Sequence, residues 1–180
     1  KGSYVFKIEP NKKYNGSCTR KAYIPQDVEF STDNLEDVHH NVSLFLESFA
    51  DAEEYVKENE KGDVQIELDK IYFNYDKSNV REDAAVTLKV LVNLMNKYPT
   101  MEVQVSAHTD ARGSNQYNLD LSIRRAASTL EYLVSQGIDR KRLKSIGFGE
   151  MQPLNECIKE GICTNEKYDV NRRCEFTILN

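Results

Sequence analysis

Residues 64–180 alternate between two hydrophobic periods, and this alternation limits the fold more than any other feature of the chain. Apolar side chains recur at every second residue in short stretches that begin near residues 64, 101, 142 and 172, as in β-strands. They recur at helical spacing over residues 81–98 and 115–136. Alternating strands and helices pack as helices on a sheet. The sequence therefore predicts an α/β domain, an α+β two-layer sandwich of order β-α-β-α-β-β.

The 63 residues before this domain divide into two parts by composition. Residues 1–33 are β-rich, with short strand-like runs, among them residues 4–8, separated by turns, too few to bury a core alone. Residues 34–63 are acidic, with room for a short helix over residues 42–55, and are interpreted as a linker. We expect a partial β segment at 1–33, a linker at 34–63 and the main domain at 64–180. The start lacks both an initiator methionine and a signal peptide, so we expect a piece of a longer chain.

Charge and hydropathy disfavour two classes of partner. The formal net charge is −5, and no basic tract interrupts the mixture of acidic and basic residues. A polyanion such as nucleic acid is therefore not an expected partner. No apolar run approaches the roughly 20 residues that cross a bilayer.

The four cysteines allow several arrangements. Cys157 and Cys163 bracket a short polar loop, and a disulfide between them is favoured; reduced thiols and, less so, a metal site remain open. Cys174 alternates with Phe176 and Ile178 on a strand face, which is typical of a buried free thiol. Cys18 has no predicted partner.

The block from His108 to Ala126 contains the candidate site. A strand ending at Ala107 delivers Asp110 to the edge of the sheet, Gly113 permits a turn, and a helix follows. Helical spacing places four residues on one face of this helix, namely Asn118, Leu121, Ser122 and Arg125, and assigns the opposite stripe to the core, namely Ile123, Ala126, Ala127, Leu130, Leu133 and Val134. Asp110 and Arg125 suit the two poles of a zwitterion. Alternatively, they bridge each other or cap local backbone.

A series of short motifs resembles the OmpA-like C-terminal domain over roughly 115 residues. In chain order they are Ile71-Tyr72-Phe73, His108-Thr109-Asp110, Gly113, Tyr117-Asn118, Leu121-Ser122, Arg125-Ala126, Tyr132-Leu133, Gly137-Ile138, Arg142-Leu143, Gly147-Phe148-Gly149-Glu150, Pro153 and Asn171-Arg172-Arg173. The resemblance implies a periplasmic domain that binds peptidoglycan without altering it, through the diaminopimelate residue of the stem peptide.

The same resemblance implies a role for each site residue. Asp110 would hold the ammonium group of diaminopimelate, and Arg125 its carboxylate. The other predicted pocket residues are Thr109, Asn118, Leu121, Arg172 and Asp76. No cofactor and no metal are expected.

The N-terminal segment resembles the closing strands of a carboxypeptidase regulatory-like domain. The matching residues are Gly2, Tyr4, Phe6, Tyr14, Ala22 and Tyr23. Such a domain before an OmpA-like one resembles lipoproteins that tether envelope machinery, including the peptidoglycan-binding component of the type IX secretion system. We therefore expect envelope or secretion-complex proteins as partners, and attachment to the outer membrane through a part of the chain outside this sequence.

Two other functions are compatible with parts of the sequence. A peptidoglycan hydrolase could use Asp110 with Asp120 or His108 as an acid–base set, but the block pairs no serine or cysteine nucleophile with a histidine. No enzymatic activity is therefore expected. A structural or protein-interaction module without direct wall binding remains the alternative.

Overall fold

The computed structural model of the protein describes residues 5–33, 43–68, 71, 73, 78–80 and 82–180. Its helices and strands, in chain order, are β1 (Lys13–Cys18), β2 (Gln26–Ser31), α1 (Phe49–Ala52), β3 (Val56–Glu58), β4 (Val64–Ile66), α2 (Glu82–Lys97), β5 (Val103–His108), α3 (Asn115–Ser135), β6 (Leu143–Gly149), α4 (Asn165–Asp169) and β7 (Cys174–Ile178). A 3₁₀ turn at Arg140–Arg142 leads into β6. None of the helices in these ranges has the length and apolar composition that a bilayer-spanning helix requires.

One five-stranded sheet organises the main domain, in the order β3-β4-β7-β5-β6. The β5–β6 pair is parallel, and the other neighbouring pairs are antiparallel. A parallel pair requires a crossover connection, which α3 supplies between β5 and β6. The last strand, β7, lies beside β5 in the middle of the sheet. The predicted two-layer α/β fold is confirmed, and the β-α-β-α-β-β order holds from β4 to β7 with the short helix α4 added between the last two strands.

The core fills the space between this sheet and helices α2 and α3. Leu88, Leu91 and Met95 form a fully buried stripe on α2, at the spacing of one helical face. Val103 and Val105 of β5 are also fully buried and belong to the same cluster. The hydrophobic periodicity that predicted these elements therefore marks the faces that pack together.

Arg142 joins the end of α2 to the start of β6. Its Nη2 donates to the carbonyls of Met95 and Tyr98 at 2.7 and 2.8 Å, and its Nε donates to the carbonyl of Met101 at 2.9 Å. The last carbonyls of a helix lack intrahelical donors. The Arg142 guanidinium supplies the missing donors and fixes the connection between α2 and β5.

The N-terminal part of the chain differs from its predicted form. Residues 5–8 have no regular secondary structure, so the predicted strand is wrong over this described stretch; Val5 and Phe6 are 92% and 78% exposed. β-propensity reflects how well a side chain fits a half-buried sheet surface, and no described strand pairs with this stretch. β1 and β2 form an antiparallel hairpin, stacked at Tyr14 and Phe30.

The segment expected to be a linker contributes to the main sheet. α1 and β3 fall within residues 34–63, and the sheet begins at Val56, ahead of residue 64. Phe49 and Val56 are fully buried. The Phe49 N–H donates to Ala22 O at 3.1 Å, and the Ala22 N–H donates to Asn180 O at 2.6 Å. The assignment of three domains stays a prediction.

Candidate functional site

The end of β5 carries three consecutive buried polar residues. His108, Thr109 and Asp110 are 1%, 4% and 5% exposed. Neighbouring strands hold them: the His108 N–H donates to Arg173 O at 2.9 Å, and the Thr109 N–H donates to Gly149 O at 2.8 Å. Hydrogen bonds on both sides give this strand end a fixed position, as the predicted site requires.

The first turns of α3 present the predicted helix face. Gly113 has φ 99°, a left-handed conformation that glycine adopts readily, and Ser114 caps the helix by accepting the Tyr117 N–H at 3.2 Å. The face buries Asn118, Leu121, Ser122 and Arg125, at 2%, 7%, 0% and 6% exposure. The prediction that these four residues share a face is confirmed.

The predicted division of α3 into a site face and an opposite core stripe is wrong. Ile123 is 49% exposed, whereas Ala126, Leu130 and Leu133 are buried. The buried polar residues and the buried apolar residues lie on one continuous stripe, polar in the first half of the helix and apolar in the second. The sheet lies under this whole stripe, and Ile123 lies at the margin of the stripe, with its backbone close to β6 and its side chain half exposed.

Two glycines of β6 allow α3 to approach the sheet closely. A Cβ atom on Gly147 would lie 2.3 Å from the Ile123 backbone nitrogen, and one on Gly149 would lie 3.1 Å from that of Leu119. Ser122 Oγ accepts the Gly149 N–H at 2.8 Å and donates to Leu119 O at 2.8 Å. These contacts set the position of the helix that carries Asn118 and Arg125.

The Asn118 side chain holds the loop that follows β5. Its Nδ2 lies 3.1 Å from both Asp110 O and Arg112 O, and it also donates to the Glu150 carboxylate. Buried backbone carbonyls need such donors. The amide therefore shapes the turn that presents Asp110.

Two arginines pair with the Asp110 carboxylate. Arg112 Nη2 and Arg172 Nη1 each lie 2.7 Å from Oδ2, and the Arg112 backbone N–H donates to Oδ1 at 3.1 Å. Burial alone raises the pKa of Asp110, but the hydrogen bonds from Arg112 and Arg172 outweigh it, so the pKa lies below the usual value. Asp110 is a stable anion.

Arg125 lies nearby, beside an aromatic ring. Its Cζ lies 4.9 Å from the centre of the Phe73 ring. Burial lowers the pKa of the guanidinium, and Asp110 is among the charges that act on it in the opposite direction. Among the described residues, the ion pairs of Asp110 go to Arg112 and Arg172. A direct Asp110–Arg125 bridge, the alternative left open by the sequence, is not among them.

His108 and Thr109 carry polar atoms that no described residue satisfies. Neither ring nitrogen of His108 nor Thr109 Oγ1 has a hydrogen-bond partner in the described part of the chain. The His108 ring stacks on Phe148 with centroids 5.2 Å apart, and its Nε2 lies 3.6 Å from Glu175 Oε2. His108 and then Arg173, which donates at 2.7 Å, lower the pKa of Glu175 to about 2. His108 is thus a buried strand-end residue that stacks on Phe148 and lies close to the Glu175 carboxylate.

A disulfide-closed loop and α4 complete the surroundings. The predicted Cys157–Cys163 disulfide is present, and Cys18 and Cys174 are free thiols. Burial raises the pKa of the Cys174 thiol to about 12, which keeps the thiol protonated. Glu156 lies beside the disulfide, and with Cys157 and Cys163 it forms the one possible metal-ligand cluster in the described ranges. The two sulfurs of this cluster are bonded to each other.

Most of the predicted site residues lie at the same edge of the sheet. Thr109 and Asp110 follow β5, α3 supplies Asn118, Leu121 and Arg125, and Arg172 reaches Asp110 from the turn before β7. Asp76 lies outside the described residues. Three roles were not predicted from the sequence: the pairing of Arg112 with Asp110, the anchoring of β6 by Ser122, and the close packing at Gly147. The one signal for Arg112 is its position two residues after Asp110.

Comparison with known families and proteins gives a consistent result. A model of the OmpA family matches residues 72–161, which include Asp110 and Arg125. The chain is 39% identical over 89 residues to the peptidoglycan-associated lipoprotein of Agrobacterium fabrum, covering 49% of this chain and 50% of that protein. It is 35% identical over 116 residues to outer membrane porin F of Pseudomonas aeruginosa, covering 64% and 31%. The chain therefore spans about half the length of the first relative.

Solved structures share the fold. The peptidoglycan-associated lipoprotein of Burkholderia pseudomallei aligns with a TM-score of 0.52 at 20% identity, covering 61% of this chain and 87% of that one. The cell wall anchor of the T6SS from Pseudomonas aeruginosa aligns with a TM-score of 0.54 at 23% identity, covering 69% and 87%. At these identities the likeness concerns the fold alone.

Proposed function

The chain belongs to the OmpA family, and from this premise we propose that it binds peptidoglycan without chemically altering it. The bound group is the free amino-acid end of diaminopimelate in the stem peptide. Binding anchors an envelope protein or secretion complex to the cell wall. Relatives named peptidoglycan-associated lipoproteins support this function.

The observation that carries the proposal is a buried pair of opposite charges beside a polar group without a partner. Asp110 and Arg125 are 5% and 6% exposed, at the end of β5 and on the facing turn of α3. In the residue before Asp110, Thr109 Oγ1 lacks a hydrogen-bond partner among the described residues. A guanidinium grips a carboxylate through two parallel hydrogen bonds, and a carboxylate accepts from an ammonium. A zwitterionic ligand supplies both poles and a donor or acceptor for Thr109.

The charge state of Asp110 favours binding over catalysis. A general acid or base works best with a pKa near the working pH. The pKa of Asp110 is instead held below its usual value, despite burial, by Arg112 and Arg172. A carboxylate that stays ionised is suited to holding a cation.

A modest affinity for one stem peptide is sufficient for an anchor. Partly buried, charge-assisted contacts of this kind support binding in the micromolar to sub-millimolar range, on the order of 5 to 8 kcal/mol. The cell wall presents stem peptides in a dense array, and a tethered protein gains from their high effective concentration.

The proposal includes a location and an assembly. The domain acts in the periplasm, attached to the outer membrane; relatives named peptidoglycan-associated lipoprotein and outer membrane porin F support this location. The predicted carboxypeptidase regulatory-like segment ahead of the domain favours a type IX secretion complex as the tethered machine. Asp76 is proposed as an additional pocket residue on the resemblance alone.

Retention on purified sacculi tests the function. We expect the wild-type protein to co-sediment with diaminopimelate-containing sacculi, and Asp110→Asn to lower the bound fraction about tenfold, since a charge-assisted hydrogen bond is lost. Asp120→Asn is the matched control, because Asp120 is exposed and its described hydrogen bond is to Gln116 within the same helix. Equal retention of all three proteins would contradict the proposal and favour the alternative, an interaction module that does not use this pocket.

A further inference from the structure

Arg112 covers the carboxylate that the proposed ligand needs. Its Nη2 and Nε lie 2.7 and 3.1 Å from Asp110 Oδ2, and Arg172 Nη1 reaches the same oxygen at 2.7 Å. The Asp110 side chain is 7% exposed, whereas the Arg112 and Arg172 side chains above it are 37% and 31% exposed. An ammonium that approaches from solvent therefore meets the two guanidinium groups before the carboxylate.

Helix α4 holds Arg112 from its other side. Arg112 Nη1 donates to Asn165 Oδ1 at 2.9 Å, and Arg112 Cζ lies 5.0 Å from the centre of the Tyr168 ring. The Tyr168 hydroxyl accepts the Ile162 N–H at 3.2 Å and donates to Lys159 O, both within the loop closed by the disulfide. A continuous chain of contacts thus runs from that loop through α4 to Asp110.

Arg172 is placed differently. Its second amino group donates to Asp169 Oδ1 at 2.6 Å, so its charge is shared between two carboxylates. Among the described residues, Asp110 supplies the carboxylate that lies within ion-pair distance of Arg112. The other described contacts of Arg112, with Asn165 and Tyr168, are with neutral side chains. Arg112 can therefore leave Asp110 without breaking another described ion pair, whereas Arg172 is also paired with Asp169.

We propose that Arg112 is a latch that occupies the ammonium subsite and sets the selectivity of the site. This inference rests on the proposed function. A ligand ammonium binds Asp110 fully only when Arg112 turns away, and α4 opposes that movement. A lone amine lacks the binding energy to displace the latch, whereas a ligand that also places a carboxylate on Arg125 has it. The site is thereby selective for a zwitterionic end over simple amines.

Removing the latch gives a gain of affinity, which tests the proposal. We expect Arg112→Gln to bind a stem tripeptide ending in diaminopimelate about tenfold more tightly, because a competing cation a few ångströms from the ammonium is gone. The backbone N–H of residue 112 still donates to Asp110 in this variant. An analogue tripeptide that lacks the distal amine but keeps its carboxylate is expected to bind both proteins equally. Calorimetric titration measures all four affinities.

Loosening the latch from α4 provides an independent variant. Asn165→Ala removes the hydrogen bond to Arg112 at an exposed position, so we expect a smaller gain, about threefold. It should have no effect in the Arg112→Gln background, because the two residues then act through one contact. Arg140→Gln is the control, because it also removes one positive charge, at an exposed position where Arg140 pairs with Glu131. It should leave the affinity unchanged.

The outcomes separate this inference from the proposed function. Tighter binding limited to the amine-bearing peptide supports the latch. Unchanged or weaker binding by Arg112→Gln, with wild-type binding intact, overturns the latch and leaves the function standing. If neither protein binds either peptide, both proposals fall together.

Discussion

Replacing Gly147 with alanine is expected to destabilise the protein by about 3 kcal/mol or more, the upper range for a methyl group forced into a packed interior. The new Cβ would lie 2.3 Å from the Ile123 backbone nitrogen and 2.5 Å from Ser122 Oγ. The first atom is backbone, and the second belongs to a buried side chain held by two hydrogen bonds, so α3 and β6 must separate. That movement also displaces Asn118 and Arg125, and binding should be lost even in molecules that stay folded.

The unfolding free energy can be measured by chemical denaturation followed by circular dichroism, since the chain has no tryptophan. Gly161→Ala is a control for the presence of a methyl group alone: Gly161 has φ 83° but nothing within 4 Å of the added Cβ. Its cost should be limited to the left-handed backbone, about 1 kcal/mol. An unfolding free energy for Gly147→Ala no lower than that of Gly161→Ala would refute the close packing of β6 on α3.

Replacing Arg125 with methionine is expected to weaken binding of a diaminopimelate stem peptide about a hundredfold, because a buried, bidentate grip on a carboxylate is lost. The variant should stay folded. Burial lowers the pKa of Arg125, so part of the cost of holding this charge inside the fold is removed with it. Methionine fills a similar volume against Phe73 without that cost. Loss of affinity with retained stability is the signature of a binding residue.

Arg124→Met is the matched control for this variant. Arg124 is the preceding residue on α3 and is exposed, so the same change of charge and size occurs one position away from the site. Its affinity for the peptide should equal that of the wild type. Equal weakening by the two substitutions would mean that net charge, rather than the Arg125 contact, governs binding.

The sequence could predict the elements whose hydrophobic period is long and regular. α2 and α3 differ from their predicted bounds by one residue at most, because each buries a stripe that repeats over several turns. The shared face of Asn118, Ser122 and Arg125 follows from the same helical geometry, and the structure confirms it. The outer strands were harder to predict. β3 has three residues, two of them charged, and its place in the sheet depends on pairing with β4 and on the burial of Val56.

The electrostatic environment of the site could not be predicted from the local block. Asp110 and Arg125 are close in sequence, but the groups that pair with Asp110 include Arg172, which β7 brings beside β5 from the end of the chain. Arg112 is held by Asn165 and Tyr168, which follow the disulfide loop. Sequence periodicity carries no information on such contacts between distant segments. The exposure of Ile123 was missed for a related reason, since the buried face of α3 depends on where β6 lies.

Binding of matched stem tripeptides to the wild-type protein tests the central claim most directly. One peptide ends in diaminopimelate and the other in lysine, which keeps the distal amine but lacks the carboxylate beside it. If Asp110 and Arg125 grip opposite poles of one amino-acid end, calorimetry will show tighter binding of the diaminopimelate peptide by about tenfold or more. Equal affinity for the two peptides would contradict the account.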